Sequence, residues 1–324
     1  MAVKRIGILT SGGDAPGMNA AIRAAVRTAV ARGATPFGIL RGYRGMVEGQ
    51  GRELSPRDVS NIIQRGGTIL LTARCDEFLT EAGRQRAVAN LRRWHLDGVI
   101  LIGGDGTFRG GIELGKIWDG RIVGVPGTID NDLYGTDYTI GFDTALNTAL
   151  ESIDKIRDTA EAHERVFIIE VMGRQSGFIA LHTGIAGGAE EILLPETPTD
   201  LATVARDILA DQAKGKRSSI LVVAEGEEEG GGRTIAQKLK ELAGIETRVS
   251  IIGHIQRGGS PTAFDRLLAS TLGAYAVDSL LAGATGAMVG LVGRQRVLVP
   301  FAEAVGQKKS LDPYLVSLIR ILAT

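Results

Sequence analysis

The stretch GVILIGGDGT (Gly98–Thr107) joins an apolar run with no polar alternation to a cluster of glycines around one acid. A strand without alternation is buried on both faces, as in a parallel sheet covered by helices. The pattern recurs along the chain. Lys4–Thr10 (KRIGILT) runs into SGGDAPG, Ile122–Val125 into Pro126-Gly127, and Arg165–Val171 into Met172-Gly173. Ser218–Ala224 runs into Glu225, and Arg248–Gly253 is a further strand. Helical spacing of apolar residues marks Met18–Arg32, Glu81–Trp94, Thr144–Ala160, Gly177–Ala186, Asp200–Lys214, Ala236–Leu242, Pro261–Ala282 and Asp312–Leu322. Shorter strands are expected at Pro36–Leu40, Glu191–Leu194, Ala287–Val292 and Val297–Pro300, and a short helix at Asp58–Gln64. Strand and helix alternate throughout, which predicts an α/β fold of doubly wound parallel sheets. Such sheets bind ligands beyond the carboxyl ends of their strands, where the glycines of this chain gather.

Composition narrows the function. The chain has 324 residues, enough for two domains, and its 37 basic residues balance 37 acidic ones. The balance gives no electrostatic footprint for nucleic acid. One cysteine, Cys75, excludes a disulfide framework within the chain. No run of eighteen apolar residues and no apolar leader-like segment is found, so no membrane partner and a cytoplasmic location are expected.

Four constellations carry chemistry. SGGDAPG lies between a strand and a helix, where free N–H groups favour phosphate; a tight structural turn is the other reading. In GGDGT, Asp105 can hold Mg²⁺ while glycine amides hold phosphate oxygens, or it can cap the next helix. In PGTIDND, Asp130 and Asp132 follow a strand end two residues apart. Extended backbone would turn both toward one cavity, where a carboxylate can take a hydroxyl proton as the oxygen attacks phosphorus. Asp-Asn-Asp is also ordinary turn chemistry. Lastly, Arg165, Arg174, Arg248 and Arg257 lie beside glycine-rich turns or strand starts, with Arg74 in LTARCDEF as a fifth. Arginine forks suit phosphate oxygens, although a single such arginine is often only a surface residue.

Taken in order, TSGGDAPGMNAAIR, GGDGT, PGTIDND, IGFDTA, EVMGR and GHIQRGGSP make the chain resemble the bacterial ATP-dependent 6-phosphofructokinases nearly from end to end. GGDGT alone is shared with NAD kinases and lipid kinases; PGTIDND with GHIQRGGSP is far more specific. The resemblance implies two Rossmann-like domains with the active site in the cleft between them. The larger, ATP-binding domain would hold residues 1–139 and 255–300, the smaller sugar-phosphate domain 140–254 and 301–324. It implies transfer of the γ-phosphate of ATP to the 1-hydroxyl of fructose 6-phosphate, a glycolytic step, with Mg²⁺. Asp130 matches the base, flanked by Thr128, Ile129 and Asp132, and Asp105 the Mg²⁺ ligand. Gly13, Arg74, Cys75, Gly104, Asp105, Gly106 and Thr107 match the nucleotide site, with Arg74 along the phosphates and Arg174 at the transferring group. Met172, Gly173, Arg174, Glu225, His254, Ile255, Gln256 and Arg257 match the sugar-phosphate site. Arg165 and Arg248 would reach it from a neighbouring subunit, which implies a homotetramer.

Donor choice is readable within the family. Members that use pyrophosphate carry Asp and Lys where this chain has Gly106 and Gly127, so ATP is expected. ADP or phosphoenolpyruvate would bind as effectors at Arg23, Arg27, Arg157, Gly188, Ala189, Glu190, Lys214, Lys216, Arg217 and Ser218. Arg23 and Arg27, four apart, share one helix face and also read as a solvated stripe. Pro56-Arg57 departs from the family's effector pattern. Cys75 replaces an aromatic often found near the adenine, and reads equally as a small filler. Three other readings are a pyrophosphate-dependent enzyme, an NAD or lipid kinase, and a non-catalytic sugar-phosphate-binding subunit.

Overall fold

A computed structural model describes residues 3–322 and divides the chain into two units. The first contains the chain up to Ile129, then Leu133–Thr144 and Arg257–Lys309. The second contains Asp130–Asp132, Ala145–Gln256 and the chain from Ser310.

In chain order the first unit begins with β1 (Arg5–Thr10), α1 (Met18–Ala31), β2 (Thr35–Ile39), α2 (Tyr43–Glu48) and β3 (Gly51–Glu53). A 3-10 turn (Asp76–Leu79), α3 (Glu81–Arg93), β4 (Gly98–Gly103), α4 (Asp105–Gly115) and β5 (Arg121–Pro126) follow. Helix α5 (Phe142–His163) starts in the first unit and continues in the second. The second unit adds β6 (Val166–Val171), α6 (Phe178–Ala186), β7 (Glu191–Leu193), α7 (Leu201–Ala213), β8 (Ser219–Ala224), α8 (Gly232–Ala243) and β9 (Thr247–Ile251). After a 3-10 turn (Gly253–Arg257), the chain supplies α9 (Ala263–Ala282), β10 (Ala287–Val292), β11 (Gln295–Pro300) and α10 (Phe301–Gly306) to the first unit. Helix α11 (Pro313–Leu322) belongs to the second.

The sheet of the first unit runs β11-β10-β5-β4-β1-β2-β3, and that of the second β7-β8-β6-β9. All six residues of β4 are buried, as are all six of β8, which is what their unbroken apolar runs predict. The second sheet is wholly parallel. The first is not: β3 and β11 pair antiparallel at its two edges. β11 follows β10 by a two-residue turn, which permits only the antiparallel arrangement, and β3 returns beside β2 after the short helix α2.

Packing explains the other departures from the sequence reading. Asp58–Gln64 forms turns rather than a helix, because Asn61 takes a left-handed backbone (φ 54°) inside it. Asp58 accepts from Ser55 N and Oγ, which holds the segment in a local turn. Residues 301–309 fall in the first unit, not with 310–324, because Phe301 stacks on Phe108 of α4 with ring centroids 5.1 Å apart. The core of the second unit joins Val166, Ile168, Leu221 and Val223 of the sheet to Leu201 and Val204 of α7 and Ile235 and Leu239 of α8.

Candidate active site

In the first unit, the residues expected at the nucleotide gather at the carboxyl ends of β1 and β4. Beyond β1, Ser11 is buried while Gly12 and Gly13 are exposed. Ser11 N donates to Ile102 O (3.0 Å), and Thr107 Oγ1 donates to Ser11 O (3.0 Å). A Cβ on Gly13 would collide with the guanidinium of Arg257. That cation therefore lies over the glycine loop, with its Nε buried and lacking a hydrogen-bond partner. Sequence similarity places Arg257 with the sugar phosphate; within the first unit its head sits at Gly13.

At the end of β4, Gly103 allows a close crossing, since a Cβ there would collide with the Thr107 hydroxyl and crowd Ser11 O. Gly104 occupies the N-cap of α4, and Asp105 lies inside the first turn. The capping reading of Asp105 is thus replaced by another interaction: Arg109 Nε donates to its Oδ2 (2.8 Å) one turn on. Arg109 also donates to Val305 O (2.7 Å), and its pKa is raised by the bond to Asp105. A Cβ on Gly106 would meet nothing within 4 Å. The helix N-terminus, with its free N–H groups, opens onto space there. Thr107 is 2% exposed and fixed from both sides, since Tyr43 Oη donates to its carbonyl (2.6 Å). Burial raises the Tyr43 phenol well above its usual pKa, so it remains a donor.

Arg74 is exposed, and Cys75 is half-buried against the core that contains the stacked pair Tyr43 and Phe78. The small-filler reading of Cys75 agrees with this packing. No group of three or more His, Cys, Asp or Glu among the described residues could cage a metal. Asp105, with 39% of its side chain exposed, still fits a Mg²⁺ held by one carboxylate and phosphate oxygens.

Past β5, Thr128 is half-buried and its carbonyl accepts from Thr139 Oγ1 (2.6 Å). Ile129 and Asp130 are buried, and Asp132 is half-buried. Asn131 between the two acids has φ 52°, so the backbone is not extended. Asp130 and Asp132 are therefore not aligned by period-two alternation as expected; the segment is a turn holding a buried carboxylate. Asp137 and Asp143 have structural partners, since Asp137 accepts from Gly293 N and Asp143 from Thr262 Oγ1.

In the second unit, β6 ends in Met172, Gly173 and Arg174. Met172 N donates to Gln256 Oε1 (2.8 Å), and Arg174 N to Glu225 Oε1 (2.7 Å). Gln256 is fully buried, so its amide holds the Met172 backbone from inside. Its neighbours His254 and Ile255 are exposed, as are Arg165 before β6 and Arg248 on β9. Arg174 is exposed and left-handed (φ 52°), and a Cβ on Gly226 would overlap its carbonyl.

The expected effector residues of the second unit gather around Glu190. Lys216 pairs with it at 3.2 Å, Arg157 approaches to 3.9 Å, and Arg157 also donates to the carbonyls of Gly187 and Gly188. Ala189 is buried beside it, and Ser218 is half-buried just before β8. Lys214 pairs with Asp211, and Arg217 with Glu164. Arg23 and Arg27 lie one turn apart on α1, and Pro56-Arg57 is exposed, all in the first unit. A cavity of about 1100 Å³ in the second unit is lined by Glu190, Glu191, Lys214, Lys216 and Arg320. Burial first, then Asp207, raises the Glu191 carboxyl to about 7, against the lowering effect of Arg320.

Several residues that hydrogen-bond to this framework escaped the sequence reading. Arg109 was visible as a cation four residues after Asp105 on a helix. Tyr43 gave no local signal, nor did Ser176, whose hydroxyl donates to Asp130 O (2.9 Å). Asp265 is fully buried and accepts from Gly141 N, Thr144 N and Thr144 Oγ1, tying the start of α9 to that of α5.

Comparison with known proteins agrees with this arrangement. The family described as phosphofructokinase matches residues 5–280. An ATP-dependent 6-phosphofructokinase 1 of Thermus thermophilus is 60% identical over 321 residues, covering 99% of this chain and 100% of that protein. An ATP-dependent 6-phosphofructokinase of Brevibacillus brevis is 53% identical, with the same coverage. Among solved structures, Pichia pastoris phosphofructokinase in the T-state superposes with a TM-score of 0.89 at 36% identity. That match covers 94% of this chain and 38% of the longer yeast chain. A pyrophosphate-dependent phosphofructokinase of Marinobacter aquaeolei shares the fold, with a TM-score of 0.84 at 23% identity over 96% of this chain and 86% of that one. The sheets, the strand-end motifs and these full-length likenesses agree: the chain belongs to the phosphofructokinase family.

Proposed function

We propose that the chain is an ATP-dependent 6-phosphofructokinase, which moves the γ-phosphate of ATP to the 1-hydroxyl of D-fructose 6-phosphate and releases fructose 1,6-bisphosphate and ADP. The observation that carries the chemistry is the buried Asp130, whose carbonyl is tied to the turn that presents Arg174. Asp130 accepts the proton of the 1-hydroxyl as that oxygen attacks phosphorus, with Thr128 and Asp132 beside the hydroxyl. Arg174 and Arg74 balance charge on the transferring group and its neighbours. Gly13, Gly104, Gly106 and Thr107 receive the nucleotide at the N-terminus of α4. Asp105 would hold Mg²⁺, which when bound neutralises phosphate charge. Met172, Gly173, Glu225, His254 and Arg257 hold the sugar phosphate, and Arg165 and Arg248 serve a neighbouring subunit of a homotetramer. Gln256 acts one step back, through the Met172 backbone. ADP or phosphoenolpyruvate binds around Glu190 as an effector. No helix among the described residues is long and apolar enough to cross a membrane, and the glycolytic role fits a cytoplasmic site.

Both donor-determining glycines support ATP. Gly106 faces open space, so a nucleoside diphosphate moiety has room beside the γ-phosphate. At Gly127, a Cβ would already press on Ile102 Cγ2 and Met18 Cε at 3.2 Å, so a lysine there would have to displace core side chains. The test of the base is Asp130→Ser in a coupled assay of fructose 1,6-bisphosphate formation. kcat should fall roughly a thousandfold, within the range of a lost general base, while fructose 6-phosphate still binds. Full turnover in the variant would remove Asp130 from that role.

A further inference from the structure

The turn after β6 is held at four points, and one of them reaches the proposed base. Ser176 is 5% exposed. Its N–H donates to Gly173 O (2.8 Å), closing the turn Gly173-Arg174-Gln175-Ser176. Its hydroxyl donates to the main-chain carbonyl of Asp130 (2.9 Å) in a buried environment. Both groups belong to the second unit. The turn itself is strained into place. Gly173 has φ 147°, and a Cβ there would collide with Ser176 O. Arg174 has φ 52°, a conformation of measurable cost for a residue with a side chain. Glu225 on one side and Gln256 on the other supply the bonds that keep it there.

We infer that Ser176 is a positioning residue for phosphoryl transfer: its hydroxyl sets the peptide that follows Asp130 and locks it to the turn that carries Arg174. The reasoning rests on the roles given above to Asp130 and Arg174. The Asp130–Asn131 peptide leads into the left-handed Asn131, so its orientation decides where the Asp130 Cα–Cβ bond points. A hydroxyl anchored in a closed turn fixes that peptide without touching substrate. Through Ser176, the carboxylate that takes the proton and the cation that meets the phosphoryl group are held in register. A buried hydrogen bond of this kind costs little to keep and much to lose, because the carbonyl it serves is desolvated. Rates are sensitive to such registers, since small misplacements of reacting groups lower turnover more than they lower binding.

The test uses the full-length protein with Ser176→Ala and Ser176→Thr, alone and combined with Asp130→Ser. Ser176→Ala should lower kcat roughly tenfold. KM for fructose 6-phosphate and for ATP should change less than about twofold, because neither is contacted. Ser176→Thr keeps the hydroxyl and should recover most of the rate. In the Asp130→Ser background, Ser176→Ala should have no further effect on the residual kcat, because the group it positions is gone. A purely structural role would give losses that multiply. Multiplying losses, or an unchanged kcat in Ser176→Ala, would overturn the inference. The two failures are separable. If Asp130→Ser alone keeps full turnover, the assignment of the base falls and Ser176 with it. If Asp130→Ser abolishes turnover while Ser176→Ala is silent, only Ser176 loses its role.

Discussion

The turn after β4 and the turn after β6 make a useful pair. Both close a buried parallel strand, both are glycine-rich, and both are proposed to handle phosphate. They are built in opposite ways. After β4 the backbone is shaped by close crossing at Gly103, and the next helix begins with Gly106 facing empty space. After β6 the backbone is strained, and hydrogen bonds to Glu225 and Gln256 and from Ser176 keep it in place. The first turn reserves room for a ligand. The second reserves an orientation for a side chain. Glycine thus has two meanings in one chain: at Gly106 it leaves space that the fold does not use, and at Gly226 it removes an atom that the Arg174 carbonyl would strike.

Substitution at those two glycines separates the meanings. Gly226→Ala should have the larger effect. Its methyl cannot fit against the Arg174 carbonyl, so the turn must move, with a stability loss of about 2–3 kcal/mol. Turnover should drop roughly a hundredfold as Arg174 leaves its place. Denaturant unfolding and steady-state kinetics read both; a stable variant with normal kcat would end the claim that the turn is fastened there. Gly106→Ala should behave inversely. Near the start of a helix and with no contact to make, it should leave the unfolding midpoint unchanged or raise it slightly. KM for ATP should rise about tenfold, because the methyl occupies ligand space. An unchanged KM would mean that the nucleotide does not approach Gly106.

The smallest effect concerns stability in the second unit, away from both turns. Burial raises the Glu191 carboxyl above its unfolded value, to about 7. The folded state then binds more protons than the unfolded state between about pH 4.5 and 7, so stability falls as pH rises through that window and is level above it. Glu191→Gln should remove this slope. It should match the parent near pH 4 and exceed it by about 1 kcal/mol at pH 8, a figure reduced for the partial exposure of the group. Parallel unfolding curves for parent and variant at every pH would show that Glu191 does not titrate in this way.

Much of the frame was legible because its signals are local. GVILI and SILVVA announce strands buried on both faces, and β4 and β8 are buried at every residue. Met18, Ile22, Ala25, Val26, Ala29 and Val30 carry the apolar spacing of α1, and all but Val30 are buried there. What escaped depends on distant partners. Helix α10 is short, and its place is decided by Phe301 stacking on Phe108 across nearly two hundred residues of sequence. The edge strands β3 and β11 take their direction from their connections, a short helix for β3 and a tight turn for β11, not from composition. Residue types in the site were legible, and their orientations were not. Nothing in IDND shows that Asn131 turns left-handed, and nothing in HIQR shows that Gln256 faces inward while His254 and Ile255 face out. Nor does the motif show that the Arg257 guanidinium lies over Gly13.

The most direct test of the account is donor choice in the unmodified protein. Fructose 1,6-bisphosphate formation should be measured with Mg²⁺ and fructose 6-phosphate, with ATP or pyrophosphate as the only donor. The open space at Gly106 and the packed apolar wall at Gly127 predict turnover with ATP and none with pyrophosphate. Turnover with pyrophosphate and not with ATP would contradict that account of the site, even with the fold and the base left in place.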